Sequence, residues 1–152
     1  MTWMRIGDQK SSLFIERADP QISGSVWRCE AAAAAVGWKF AMVHDEVIVD
    51  GAEEALKQTI NFAILQIPRI EMTLSEGGWL RIKRDIRGYV VVRYRLGRLS
   101  VGAAVEGEVI LDTERGDAFC RYLISLLSVN PIPAQQSKSR FGPESSASEA
   151  AS

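Results

Sequence analysis

From Ile67 to Leu127 the chain alternates apolar and polar residues at period two through four successive stretches, then passes directly into a helix-period stripe. That order leaves few ways to bury the apolar half of each stretch. Alternating stretches joined by tight turns pair antiparallel, and the one-sided apolar face they build needs a cover. Ile70, Met72 and Leu74 point to one side, Gly77-Gly78 turns the chain, Leu80 and Ile82 follow on the same side, and Asp85 to Gly88 turns it again. Val90, Val92, Tyr94 and Leu96 continue the apolar face; Gly97-Arg98 makes a third turn, and Leu99, Val101, Ala103, Val105 and Val109 complete it. The cover is a helix capped by Asp112 or Thr113, with Ala118, Phe119, Tyr122, Leu123, Leu126 and Leu127 on one broad stripe. The expected fold is α+β: an antiparallel β-meander sheet with two amphipathic helices packed on one face.

Upstream, Ser12 to Ala18 reads as a strand closed by the turn signal Asp19-Pro20. Ser25 to Ala34 sets Trp27, Cys29 and Ala31 against Arg28 and Glu30, a strand pattern that competes with the helical propensity of the alanines from 31 to 35. Gly37 would end such a helix early, which favours the strand. Trp38 to Val43 and Val47 to Val49 read as short strands separated by a charged corner, His44-Asp45-Glu46. Asp50 opens the first helix, with Glu53 placed to complete a capping box and Ala52, Leu56, Thr59, Ile60 and Ala63 on its apolar face. Pro68 marks the beginning of a strand or a sheet edge, because proline has no ladder donor. Residues 1–130 are expected to form a single domain. The Ser-, Ala- and Gln-rich stretch 131–152, with little to bury beyond Phe141, is expected to be a disordered tail.

Several chemistries lack their residues. Gly97, Gly102, Gly107 and Gly116 are dispersed rather than gathered in a phosphate loop, and Gly102 and Gly107 are expected to mark a bulge or a bend in a long strand. Cys29 and Cys120 lie in apolar patterns and read as reduced core residues, and with one histidine, His44, they cannot make the usual structural zinc site. Asp45, Glu46, Asp50, Glu53 and Glu54 cluster beside His44 without calcium-loop spacing; acids at a helix N-terminus are favoured by the macrodipole in any case. No catalytic set and no cofactor is expected. The stretch from Met1 to Lys10 lacks the apolar core of a signal peptide, and no run approaches the roughly 18 apolar residues of a membrane span, so the expected location is cytoplasmic.

The most suggestive surface lies on the other side of the meander. Trp79, Arg81 and Lys83 alternate outward on one strand, and Tyr89, Val91, Arg93 and Arg95 on the next. Seven basic residues (Arg81, Lys83, Arg84, Arg87, Arg93, Arg95 and Arg98) meet one acid, Asp85, between positions 81 and 98, in a chain of net charge −1. Glu106 and Glu108 fall on the same outer side and are placed to pair with the arginines, which makes a solvated face laced with weak ion pairs the plainer reading. The functional reading is a contact face for a protein or a nucleic acid, with Trp79, Arg81, Lys83, Tyr89, Arg93 and Arg95 as the partner-binding candidates.

The helix opened by Val47-Ile48-Val49-Asp50-Gly51-Ala52, the strands Ile70-Glu71-Met72-Thr73-Leu74, Gly78-Trp79-Leu80-Arg81-Ile82-Lys83 and Gly88-Tyr89-Val90-Val91-Val92, and the final run into Asp112 to Leu127 together resemble small bacterial α+β proteins. Some of these are similar to immunity proteins encoded beside polymorphic or contact-dependent toxins. The resemblance spans residues 12 to 128 and implies a cytoplasmic, noncatalytic protein that binds and blocks one cognate toxin domain, without assigning residues. The rival readings are RNA or single-stranded nucleic-acid binding by the basic-aromatic face, and a small-ligand protein or enzyme with His44 and nearby carboxylates in a cavity between sheet and helices.

Overall fold

The computed structural model describes residues 3–18, 24–34, 40–98 and 103–129. The meander occurs twice, each time followed by a helix. Strands β1 (Trp3–Gly7), β2 (Ser11–Arg17), β3 (Val26–Ala34) and β4 (Phe40–Ile48) form a four-stranded antiparallel sheet in sequence order, and α1 (Ala52–Ala63) follows. Strands β5 (Arg69–Thr73), β6 (Trp79–Arg84), β7 (Val90–Arg98) and β8 (Ala103–Leu111) form the second sheet in the same way, and α2 (Thr113–Leu127) follows. The α+β class and the antiparallel meander expected from the sequence hold. The expected single sheet is two, and the two helices pack on each other.

One core serves both halves. Leu13, Ile15, Trp27, Cys29 and Val47 from the first sheet join Ile70, Met72, Leu80, Ile82, Val92 and Leu96 from the second. Phe62 of α1 and Phe119, Leu123 and Leu127 of α2 close the same cluster. α2 spans the two sheets. Near its start, Gly116 packs so closely on Val90 that a β-carbon there would overlap the valine side chain. In its middle, the Tyr122 hydroxyl donates to the Ile15 carbonyl of β2 at 2.9 Å. Beyond its end, the Val129 carbonyl accepts from Gly24 N–H at 2.7 Å, and the Gly24 carbonyl accepts in turn from the indole of the buried Trp27 at 2.6 Å.

Besides sharing the core, the sheets are joined directly by hydrogen bonds at the exit of β4 and beneath the middle of β7. At the exit of β4, Val49 bridges Leu74, Asp50 N–H donates to the Thr73 carbonyl at 2.8 Å, and Ile48 N–H donates to the Ser75 hydroxyl at 2.9 Å. At the middle of β7, the Tyr94 hydroxyl donates to the Ala32 carbonyl at 2.8 Å and accepts from the Ser11 hydroxyl and the Ser12 backbone. Tyr94 reaches that position by crossing its ladder partner Gly107, where a β-carbon would run into the phenol ring. Gly107 is therefore not the bend expected from the sequence. It sits in regular register and makes room for a buried aromatic.

Several local expectations change for identifiable reasons. Asp50 does not cap α1: the N-cap is Gly51 in the left-handed region (φ 61°), with no side-chain cap, and the Asp50 N–H that Glu53 would have accepted from in a capping box donates to the Thr73 carbonyl. The buried face of α1 is Ala55, Thr59 and Phe62, so Ile60, expected inward, is exposed. His44-Asp45-Glu46 is no corner, because β4 runs straight through it with His44 and Glu46 facing outward. β1 was not expected, although Met4 and Ile6 alternate there with Trp3 and Arg5. The Gly77-Gly78 turn is met by a short 3-10 segment, Ser75–Gly77, between β5 and β6. The expected third turn at Gly97-Arg98 falls inside β7, where both residues pair with β8 at Ala104 and Ala103. The expected turn at Asp19-Pro20, strand positions Trp38, Leu99 and Val101, and the tail 131–152 lie outside the described residues.

Other expectations are met. Asp112 caps α2, its carboxylate accepting from Arg115 N–H at 2.8 Å, and Phe119, Tyr122, Leu123, Leu126 and Leu127 are buried as the stripe requires. The alanines of β3 are strand, and Ala31, Ala32 and Ala33 are all buried. The small inward side chains of Ala31 and Ala33 let the second sheet come close to β3, where Tyr94 reaches the Ala32 carbonyl. β5 begins directly after Pro68 and is an edge strand.

Candidate functional site

The outer face of the second sheet is built from three cross-strand rows. One row runs Thr73, Trp79, Arg95, Glu106; the next Glu71, Arg81, Arg93, Glu108; the third Arg69, Lys83, Val91, Ile110. Period-two alternation puts these side chains opposite the core, so their register is set by burial of Ile70, Leu80, Val92 and Val109 on the other side. Of the six candidates, Trp79, Arg81, Lys83, Arg93 and Arg95 are brought together on this face. Tyr89 lies just before β7, at the turn, with the Arg87 guanidinium 4.3 Å from its ring centroid.

The basic run is less uniform than its sequence suggests. Arg81 pairs with Glu71 at 3.1 Å and stacks 3.9 Å over the Trp79 ring. Arg93 lies 3.8 Å from Glu108, and Arg95 lies 3.1 Å from Glu106, its Nε buried and not aligned to donate. Arg84 leaves the face altogether: it packs on Phe62 of α1 at 4.8 Å and sits 3.8 Å from Asp117 of α2. Arg87 is held in the β6–β7 turn by Asp85 at 2.8 Å. Asp85 also accepts from the backbone of Arg87 and Tyr89, and these bonds, led by the Arg87 side chain, hold its carboxyl below the ordinary 3.8. Val91, expected outward with the basic residues, follows that parity but is only 6% exposed.

Between β5, β6 and β7 this face dips into an open groove of about 740 Å³, lined by Arg69, Glu71, Arg81, Lys83, Val91 and Arg93, with Gln58 of α1 at its side. Arg69, at the start of β5, had not been picked out from the sequence. The signal was its place opposite Lys83, which only strand pairing supplies. A second, smaller groove of about 250 Å³ lies between Met4 of β1 and Ala118, Arg121, Tyr122 and Ser125 of α2.

The acidic cluster around His44 is dispersed by the fold. His44 and Glu46 face out from β4, Asp45 falls on the inner row opposite Cys29, and Asp50 lies beyond the strand. Among the described residues no three His, Cys, Asp or Glu side chains gather as a metal site. His44 is exposed opposite Glu30 and lines neither groove. Both cysteines are free and buried; desolvation pushes the Cys120 thiol up to about 11 and Cys29 further up, so both are neutral thiols rather than nucleophiles. Among the described residues no helix is long and apolar enough to cross a membrane.

No protein-family model matches the chain, and no curated protein or solved structure matches it.

Proposed function

We propose that the chain is a noncatalytic, stoichiometric protein-binding module whose contact surface is the outer face of the second sheet. The observation that carries this reading is the row Glu71, Arg81, Arg93, Glu108 beside the Arg81–Trp79 stack. Tryptophan and arginine are the residue types enriched at binding hot spots, and a face that mixes guanidinium groups, carboxylates and an aromatic complements another protein. A polyanion fits it less well. Glu71, Glu106 and Glu108 border the arginines on both sides, where a phosphate backbone crossing the sheet would meet them. The resemblance to immunity proteins offers a partner class, a cognate toxin domain met in the cytoplasm.

The test is capture of partners on the tagged chain, identified by mass spectrometry with and without nuclease, followed by affinity measurement on Trp79→Ala with Arg93→Ala. A nuclease-resistant partner at near-equal stoichiometry, weakened by about 2–4 kcal/mol in the double variant, is expected. Retention that disappears with nuclease, or that falls away steeply with salt as phosphate contacts do, transfers the face to nucleic acid. Unchanged affinity in the double variant removes this face from the interface.

A further inference from the structure

The groove on the second sheet carries an unusual charge arrangement. Arg69 stands directly opposite Lys83, and Arg81 directly opposite Arg93, so two pairs of like charges face each other across neighbouring strands. Like charges in that position destabilise a sheet. Only one of the lining groups, Glu71, is a carboxylate, and it is engaged by Arg81 at 3.1 Å. Among the described residues Arg69 and Lys83 form no ion pair. Beside them lies Val91, almost fully buried, which gives this basic groove an apolar floor.

We infer that this groove receives an acidic segment of a partner protein, one that sets a carboxylate between Arg69 and Lys83 and an apolar side chain on Val91. The inference rests on the protein-binding reading and names the chemistry of its partner. A carboxylate placed there relieves the Arg69–Lys83 repulsion and gains charge-assisted hydrogen bonds from a guanidinium that has no ion-pair partner among the described residues. The half-sheltered concavity concentrates the field of its four cations more than a flat face would. A peptide suits the site better than a nucleic-acid strand. Its charge can stop after one residue and give way to an apolar neighbour, whereas successive phosphates would continue into Glu71 and Glu108.

The experiment follows backbone amide signals of the isotope-labelled full chain during titration with a short peptide of alternating Glu and Val. A Lys-Val counterpart and a single-stranded oligothymidylate serve as comparisons. The expected result is saturable movement of the Arg69, Lys83 and Val91 signals with the acidic peptide, and none with the Lys-Val peptide. Arg69→Glu with Lys83→Glu, both at exposed positions, should weaken the acidic peptide at least about tenfold. Arg69→Gln with Lys83→Gln should weaken it less. Absence of saturable movement, affinity unchanged by the double reversal, or tighter binding of the oligonucleotide at the same amides would each overturn the inference. A captured partner that still binds the double reversal with native affinity overturns the groove assignment and leaves the protein-binding reading intact. The acidic peptide binding as expected, with no partner protein captured, supports the groove's chemistry and defeats the functional reading.

Discussion

The outer faces of the two sheets are made from the same architecture and nearly the same residue types, yet their charges are arranged in opposite ways. On the first sheet Arg28 stands between Glu16 and Glu46, paired with Glu16 at 3.0 Å, and Arg5 reaches over the Phe14 ring to Glu30, also at 3.0 Å. Among the described residues there, Arg28 meets only carboxylates across its neighbouring strands. On the second sheet Arg81 stands opposite Arg93 on the two central strands, and Arg69 of the edge strand β5 stands opposite Lys83, while Glu71, Glu106 and Glu108 lie on the two edge strands. A face that matches its own charges offers little to a charged ligand; one that sets like charges side by side has something to gain from a ligand of the other sign, which is the basis of the proposed acidic partner. Apolar exposure does not separate the faces, since Met42 and Ile48 are exposed on the first and Ile110 on the second.

The comparison requires that both sheets belong to one cooperative unit, and the seam at Tyr94 tests that most severely. Gly107→Val forces a branched side chain into the Tyr94 ring and breaks the hydroxyl's bonds to Ala32, Ser11 and Ser12. A loss of about 3 kcal/mol is expected from overpacking and buried groups left unpaired. Urea unfolding followed by circular dichroism should remain a single transition, coincident with exposure of Cys29 in the first sheet and Cys120 in α2 to a thiol reagent. Two separated transitions would show that the sheets stand alone.

Charge reversals should then have opposite signs on the two faces. Arg28→Glu places three carboxylates in a row and should lower stability by about 1 kcal/mol in urea unfolding. Lys83→Glu gives Arg69 an opposite charge across the strand and should raise stability by about 0.5 kcal/mol. If both reversals destabilise, the second face is not charge-frustrated, and the reasoning from repulsion to an acidic ligand loses its footing.

The smallest effect expected is one the two sheets share. Asp8, in the turn between β1 and β2, accepts from the backbone of Lys10 and Ser11, and Asp85 plays the same part between β6 and β7; both carboxyls are held below the ordinary 3.8. Because the folded values are depressed, the contribution of each turn is fully present above pH 3.8 and is lost as the pH falls through the lower folded value. Asp8→Asn and Asp85→Asn should each flatten the acid limb of stability slightly, to a similar extent. A much larger change for one of them would mark its hairpin as the weaker.

The period-two pattern from Ile70 to Val109 and the stripe of α2 were legible because each is dictated by residues close in sequence: alternation assigns a face, and Asp112 stands one residue ahead of the helix it caps. Trp79, Arg81, Lys83, Arg93 and Arg95 could be placed on one face for the same reason. Where the reading failed, a distant partner had intervened. The Asp50 N–H that a capping box would use is taken by Thr73, twenty-three positions away, and Gly107 is no bend because its ladder partner Tyr94 needs the space above it.

By itself, then, the sequence determined the α+β class, the antiparallel meander, the second helix and which side of β6 and β7 faces water, since those follow from local periodicity and capping. Tertiary structure alone decided that the meander occurs twice around one core, that Tyr94 and Tyr122 tie the halves together, and that Arg69 comes to lie opposite Lys83. Those outcomes depend on which strands pair and in what register. Register is settled by burying both sheets and both helices at once, a condition that no stretch of sequence states alone.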